Sequence, residues 1–268
     1  MHPTLHFGSF QISSYAAAYA VMIVVCGMYA FHRFFTEGMK PDRIFWGMVA
    51  VFLGGAAGAW VVRLIPTIWY WTQSGEWRLS SGITFIGMLP GGAIALAVYA
   101  RQTGNNVWHT LDRVAVVMPL GQAIIRVGCF SAGCCYGKPT DAWWGMYLRN
   151  SHGDWATRYP TQLMFLALNI TIWQVLRTYE YYGQLRAAET WNDAPDKPRM
   201  WPFDGFLFLL YAALYWIKRF GTEFLRADGI LTLGGVNWAY ILSASGFAIT
   251  AILLVYKLSR ARRQARGA

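Results

Sequence analysis

Seven runs along this chain are apolar for long enough to cross the hydrocarbon of a bilayer, and that constraint precedes every other. At about 1.5 Å rise per residue, a helix of roughly 20 residues spans the apolar layer. Segments 11–31, 44–62, 82–100, 114–135, 159–177, 203–222 and 238–256 meet that length once tilt and small polar interruptions are allowed. Lipid offers backbone amides no partners, so runs of this kind must bond internally as helices. The expected fold is therefore all-α: a polytopic membrane protein of about seven transmembrane helices. With 56% hydrophobic and 13% charged residues, and 14 Trp and 15 Tyr among 268, the composition excludes an ordinary soluble domain. No strong internal repeat is visible, and residues 1–268 read as a single membrane domain.

The basic residues set an expected orientation. With the N-terminus outside the cytoplasm, 14 of the 23 Lys and Arg fall on inner loops and the tail, 6 fall outside, and Arg126, Lys218 and Arg219 lie within spans. That bias implies N-terminus out and C-terminus in. It also assigns the net charge of +10 to topology and attraction to anionic membrane lipid, with no nucleic acid partner. No Lys or Arg precedes the first apolar run, so the start does not resemble a cleavable signal peptide and the first span is expected to be retained. The one long polar connection, 187–200, is expected on the cytoplasmic side.

Within the run 207–226, Lys218, Arg219, Glu223 and Arg226 interrupt apolar helix. Arg219 and Glu223 are four apart and Arg226 three further on, so all three project from one helix face. A charge at bilayer depth costs about 2.5–3.5 kcal/mol on insertion scales, and persists there only when paired or lining a polar site. This face reads either as a functional site or as an ion pair tying helices together. A second centre lies in 121–140, where Arg126 precedes Gly128, Gly133 and Gly137. Glycines there permit close backbone approach, either to a ligand headgroup or to a neighbouring helix. In a third run, 80–92, Pro90 and several glycines can free amides for an anion.

Three of the four cysteines, Cys129, Cys134 and Cys135, fall in the second centre. They lack paired C-x-x-C spacing and have no nearby His, so no metal site is expected. A catalytic thiol, a structural disulfide and buried free thiols packing as small apolar groups all remain open. Cys26 lies mid-span and belongs to the last kind.

The order of these runs resembles the prolipoprotein diacylglyceryl transferase family. The likeness rests on Ile12-x-Ser14-Tyr15, Gly82-x-Thr84-Phe85-x-Gly87, Arg126-x-Gly128-x-Phe130 through Gly137, and Pro160-Thr161-Gln162-Leu163. It continues in Tyr211-x-x-x-Tyr215, Arg219-Phe220-x-x-Glu223-Phe224-x-Arg226 and Ile241-Leu242-Ser243. The resemblance implies a multi-pass enzyme of the bacterial inner membrane, with its active site toward the outer leaflet. Such an enzyme moves the diacylglyceryl group of phosphatidylglycerol to the lipobox cysteine thiol in a prolipoprotein signal peptide, forming a thioether, with no cofactor and no metal.

By resemblance Arg126 and Arg219 hold the phosphate, Glu223 orients Arg219, Tyr15 contacts the headgroup and Gly137 permits close backbone approach. Thr84, Gly87, Cys129, Gln162 and Arg226 are the other expected substrate-binding positions. The chain departs from the family pattern at Ile86 (usually His), Cys129 and Ala132 (usually Asn), and Cys134 and Phe165 (usually Glu). The version Gly-Cys-Phe-x-x-Gly-Cys-Cys-x-Gly resembles a recurring variant. Alternative readings are the same donor with a different acceptor, a membrane thiol oxidoreductase using Cys129, Cys134 and Cys135 with a quinone, or a non-catalytic lipid-binding protein.

Overall fold

A computed structural model describes residues 4–7, 10–77, 85–190, 201–227, 232–233 and 236–266. Thr84 and residues 191–200 of the polar connection lie outside these described residues. The helices are α1 (Ser14–Phe35), α2 (Pro41–Ser74), α3 (Phe85–Gln102), α4 (Val107–Ala115), α5 (Val117–Ala132), α6 (Thr161–Thr190), α7 (Phe206–Glu223) and α8 (Trp238–Arg266). Three antiparallel hairpins accompany them: β1 (Thr4–Phe7) with β2 (Phe10–Ser13), β3 (Met146–Arg149) with β4 (Trp155–Arg158), and β5 (Thr232–Leu233) with β6 (Val236–Asn237). The protein is thus helical apart from short hairpins.

Among the described residues four stretches are long and apolar enough to cross a membrane: Ser14–Phe35, Pro41–Ser74, Val107–Ala132 and Trp238–Gln264. Only 11% of the apolar window is buried within the protein in the first two and 17% in the last, against 44% for Val107–Ala132. Large apolar side chains such as Val24, Met28, Leu53, Trp60 and Ile252 are more than half exposed, which suits contact with lipid. Helices α3, α6 and α7 fall on the remaining expected segments, but α3 and α7 have only 18 residues each and α7 carries Lys218, Arg219 and Glu223.

Several helices outrun their apolar segments. Helix α2 passes through Pro66, whose ring removes one backbone donor, and ends only at Gly75, where φ is 70° and the amide bonds Trp71 O. The hydroxyl of Thr67, itself fully buried, donates to Arg63 O at 3.1 Å beside this interruption. Helix α6 continues thirteen residues beyond the expected end, and there Arg177 Nη1 donates to the buried Glu180 Oε2 at 2.7 Å. Polar side chains support these extensions, and hydropathy alone does not register them.

The chain forms two compact units. One comprises Tyr29–Val114 and Leu231–Trp238, and its core is the contact of α2 with α3. Gly54 and Gly58 on α2 face Gly87 and Gly91 on α3. A Cβ on Gly58 would stand 2.2 Å from Gly87 O, and one on Gly91 would stand 2.4 Å from Gly54 O. Two small-x-x-x-small faces therefore pack backbone to backbone. Pro90 lies inside continuous helix, so from Phe85 onward the third run is a packing face and not an unwound loop. Glu37 holds Arg113 and approaches His109 Nε2 at 3.4 Å in the same unit.

The other unit comprises Met1–Met28, Ala115–Ile230 and Ala239–Ala268. Gly128 lets α5 approach α1, since a Cβ there would lie 2.6 Å from Ala18 Cβ. On α8, Gly246 receives the Trp216 indole of α7. The centre of the unit is polar. Lys218 Nζ of α7 donates to Gln122 Oε1 of α5 at 2.6 Å and to Asn169 Oδ1 of α6, while Gln122 Nε2 donates to Tyr211 OH at 2.6 Å. All five groups are buried, so one ammonium ties three helices together.

Three substitutions test these contacts. Gly58→Ala should lower stability by about 1–3 kcal/mol through overpacking against Gly87. Gly27→Ala, with nothing within 4 Å, should be neutral or stabilising in the same thermal unfolding assay in detergent. Lys218→Met should cost about 1–3 kcal/mol per orphaned acceptor on Gln122 or Asn169, read as a lower unfolding temperature.

Candidate active site

The long second unit brings candidate site residues of α5, α6 and α7 together. Arg219 Nη1 donates to Glu223 Oε2 one turn along α7, and the Glu223 side chain is only 1% exposed. The i, i+4 spacing makes this pair local to one turn of α7. Arg226 follows the helix end and is buried. Its backbone bridges Gly137, Lys138 N donates to Leu225 O at 2.8 Å, and Ala227 N donates to Tyr136 O at 3.1 Å. The segment after α7 is thereby stitched to the segment after α5.

Gly137 also packs against the segment before α6: a Cβ there would lie 2.2 Å from Tyr159 O. Helix α5 stays helical to Ala132 and stops at Gly133, whose φ of 74° and amide bonds to Cys129 O and Phe130 O close the helix. Thr161 Oγ1 and Gln162 Nε2, at the start of α6, donate to Cys135 O at 2.7 Å and Cys134 O at 3.0 Å. Gln162 is fully buried, and its Oε1 has no hydrogen-bond partner in the protein.

Arg126 leaves α5 toward α6. Its guanidinium lies 4.5 Å from the centroid of the Phe165 ring, and Nη1 is 3.8 Å from Cys129 Sγ. Its Nε is buried without a hydrogen-bond partner. Lys218 Nζ lies 5.8 Å from the same Phe165 ring and 5.0 Å from that of Tyr215. Tyr215 is in turn within electrostatic reach of Arg219, Arg126 and Arg226. Arg126, Lys218, Arg219, Arg226 and Glu223 thus combine four basic groups with one acid. Such a cluster favours an anionic ligand, and the planar Arg donors suit phosphate oxygens.

Of the positions expected from sequence, Arg126, Cys129, Gly137, Gln162, Arg219, Glu223 and Arg226 share this unit. Tyr15 joins them on α1, its Cα 3.3 Å from where a Gly128 Cβ would stand. Gly87 belongs to the other unit, packed on Gly58. Sequence reasoning passed over Gln122 and Asn169, the partners of Lys218. A lone Asn inside the apolar run of α6 and a lone Gln inside α5 were the available signals.

Comparison with known proteins bears on the family of the chain. The family model for "Prolipoprotein diacylglyceryl transferase" matches residues 3–256. A phosphatidylglycerol--prolipoprotein diacylglyceryl transferase of Clostridium tetani is 28% identical over 258 residues, covering 95% of this chain and 96% of the relative. One of Leptothrix cholodnii is 30% identical over 252 residues, covering 87% and 86%. Another, of Rhizobium leguminosarum bv. trifolii, is 28% identical over 275 residues, covering 96% and 90%. The apolar helices and the match along nearly all of its length make this chain a multi-pass membrane protein that belongs to the prolipoprotein diacylglyceryl transferase family.

Proposed function

We propose that the protein transfers the diacylglyceryl group of phosphatidylglycerol to the lipobox cysteine thiol of a prolipoprotein signal peptide. The observation that carries this reading is the cluster of Arg126, Arg219 and Arg226 with one carboxylate, Glu223, inside a unit matching a transferase family. In the reaction the acceptor sulfur attacks the glyceryl carbon bonded to the phosphate oxygen. A C–S bond forms, the C–O bond breaks, and glycerol phosphate departs.

The leaving phosphate grows from one negative charge toward two. Fixed guanidiniums stabilise that growth more than they stabilise the donor, which is how positioned cations lower a barrier. Glu223 keeps Arg219 in place, and Arg126 is held over Phe165 with donors left for oxygen. Ile86 and Cys134 stand where the family usually has His and Glu. In this reading the departing phosphate itself takes the thiol proton. The attacking sulfur comes from the acceptor, so no nucleophile of this chain is consumed.

In this reading the whole chain works as one domain in the bacterial inner membrane. Seven helices cross, the N-terminus lies outside, the C-terminus inside, and the site lies toward the outer leaflet. The charge bias of the loops supports that orientation. Tyr15, Cys129, Gly137, Gln162 and Arg226, which share one unit, contribute to holding donor or acceptor.

Purified protein given labelled phosphatidylglycerol and a lipobox peptide should yield a peptide heavier by one diacylglyceryl group, together with glycerol phosphate. No peptide adduct and no donor consumption would overturn the assignment. Arg126→Ala and Arg219→Ala should each slow transfer by about 100-fold or more, the scale for losing a donor to developing charge. Arg219→Lys should recover little, because an ammonium cannot grip two phosphate oxygens. Tags after Lys257 should be reachable only from the cytoplasm and tags near His2 only from outside. Both on one side would refute seven crossings.

A further inference from the structure

The thiols of Cys129, Cys134 and Cys135 are gathered into one cluster, and the proposed transfer consumes none of their sulfurs. Their sulfur atoms all lie within 4.8 Å of one another, and no His, Asp or Glu joins the group among the described residues. The gathering is built into the backbone. Gly133 reverses the chain at the end of α5, so Cys134 N bonds back to Cys129 O at 3.1 Å and Cys134 Sγ approaches the same carbonyl at 3.7 Å. Cys135 has φ of +57°, the only non-glycine residue in the left-handed region among those described. That conformation is unfavourable for a residue with a Cβ and persists where surrounding contacts impose it. Here the contacts are Thr161 Oγ1 on Cys135 O and Gln162 Nε2 on Cys134 O.

We propose that Cys129, Cys134 and Cys135 form a binding site for one soft monovalent d10 metal ion, Cu+, held by three thiolate sulfurs. Soft thiolates select copper(I), zinc and iron–sulfur centres over harder ions. Structural zinc wants four ligands in a tetrahedron, and the described residues offer three, which suits a three-coordinate Cu+. Three sulfurs at about 2.3 Å from a central ion stand roughly 4.0 Å apart in a plane. Closing the cluster therefore takes side-chain movements of under an ångström. Arg126 Nη1, 3.8 Å from Cys129 Sγ, and Arg226, within electrostatic reach of Cys135, offset the negative charge of a tris-thiolate site. All four cysteines are free, so no disulfide occupies these sulfurs.

The site is tested on full-length protein purified in detergent, reduced and kept anaerobic, by titration with Cu+ against a chromogenic copper(I) chelator. One equivalent per chain should be withdrawn from the chelator, and Cys129, Cys134 and Cys135 should become protected from alkylation. Cys134→Ser/Cys135→Ser should retain less than a tenth of an equivalent, while Cys26→Ser keeps the full one. Copper-edge X-ray absorption of the unsubstituted protein should report sulfur neighbours only, three in number, and does not depend on whether the double variant folds. Failure to compete with the chelator, a nitrogen or oxygen shell around copper, or one equivalent of Zn2+ retained where Cu+ is not would each overturn the assignment. A Cys129–Cys134 or Cys129–Cys135 disulfide in protein taken directly from membranes would do the same. The readout is metal binding and not lipid transfer, so either reading can fail while the other stands.

Discussion

Cations buried between apolar helices are what the arrangement of α5, α6 and α7 depends on. A lysine in the middle of an apolar bundle is tolerated only when polar partners meet it, and Lys218 donates to Gln122 on one neighbour and Asn169 on the other, with the Tyr215 ring 5.0 Å away. These bonds set the rotation of α7 about its own axis. Arg219 is the next residue along and Glu223 one turn beyond, so the same bonds decide where the candidate phosphate clamp points. Structure and chemistry share one polar layer, and neither can be altered without the other.

The loops after α5 and α7 solve a different problem. Backbone outside a helix needs partners, and 134–138 obtains them from 225–227 on one side and from the first residues of α6 on the other. Gly137 makes the approach possible by having no side chain, and Gly133 by adopting a left-handed turn. Two segments distant in sequence become one platform. It carries the cysteines and Arg226.

Much of this was legible in the sequence. Each expected apolar segment contains a helix, because hydropathy over 20 residues reports burial in lipid whatever the partner. The Arg219–Glu223 pair was legible for a similar reason, since i, i+4 spacing makes it a property of one helix. Features that depend on a second element were not. Gly87 reads like part of an anion loop until Gly58 is seen against it, and Lys218 has no visible acceptor until α5 and α6 are in place. The absence of a metal-like cysteine spacing was real, yet the turn at Gly133 and Cys135 brings the sulfurs together from an irregular spacing. Helix α2 continues through Pro66 to Ser74 and α6 beyond Arg177 to Thr190, so both helices run past the apolar limit that hydropathy marks.

Phe165 stands where the family resemblance implies a carboxylate, and its ring lies near both Arg126 and Lys218. The face of an aromatic ring attracts a cation by its quadrupole, worth about 0.5–2 kcal/mol, without adding charge of its own. Unlike a carboxylate, it has no proton to gain. The hold on Arg126 is therefore indifferent to the acidity of the surroundings, and an enzyme built this way keeps its cation seated in acidic conditions that would neutralise a glutamate.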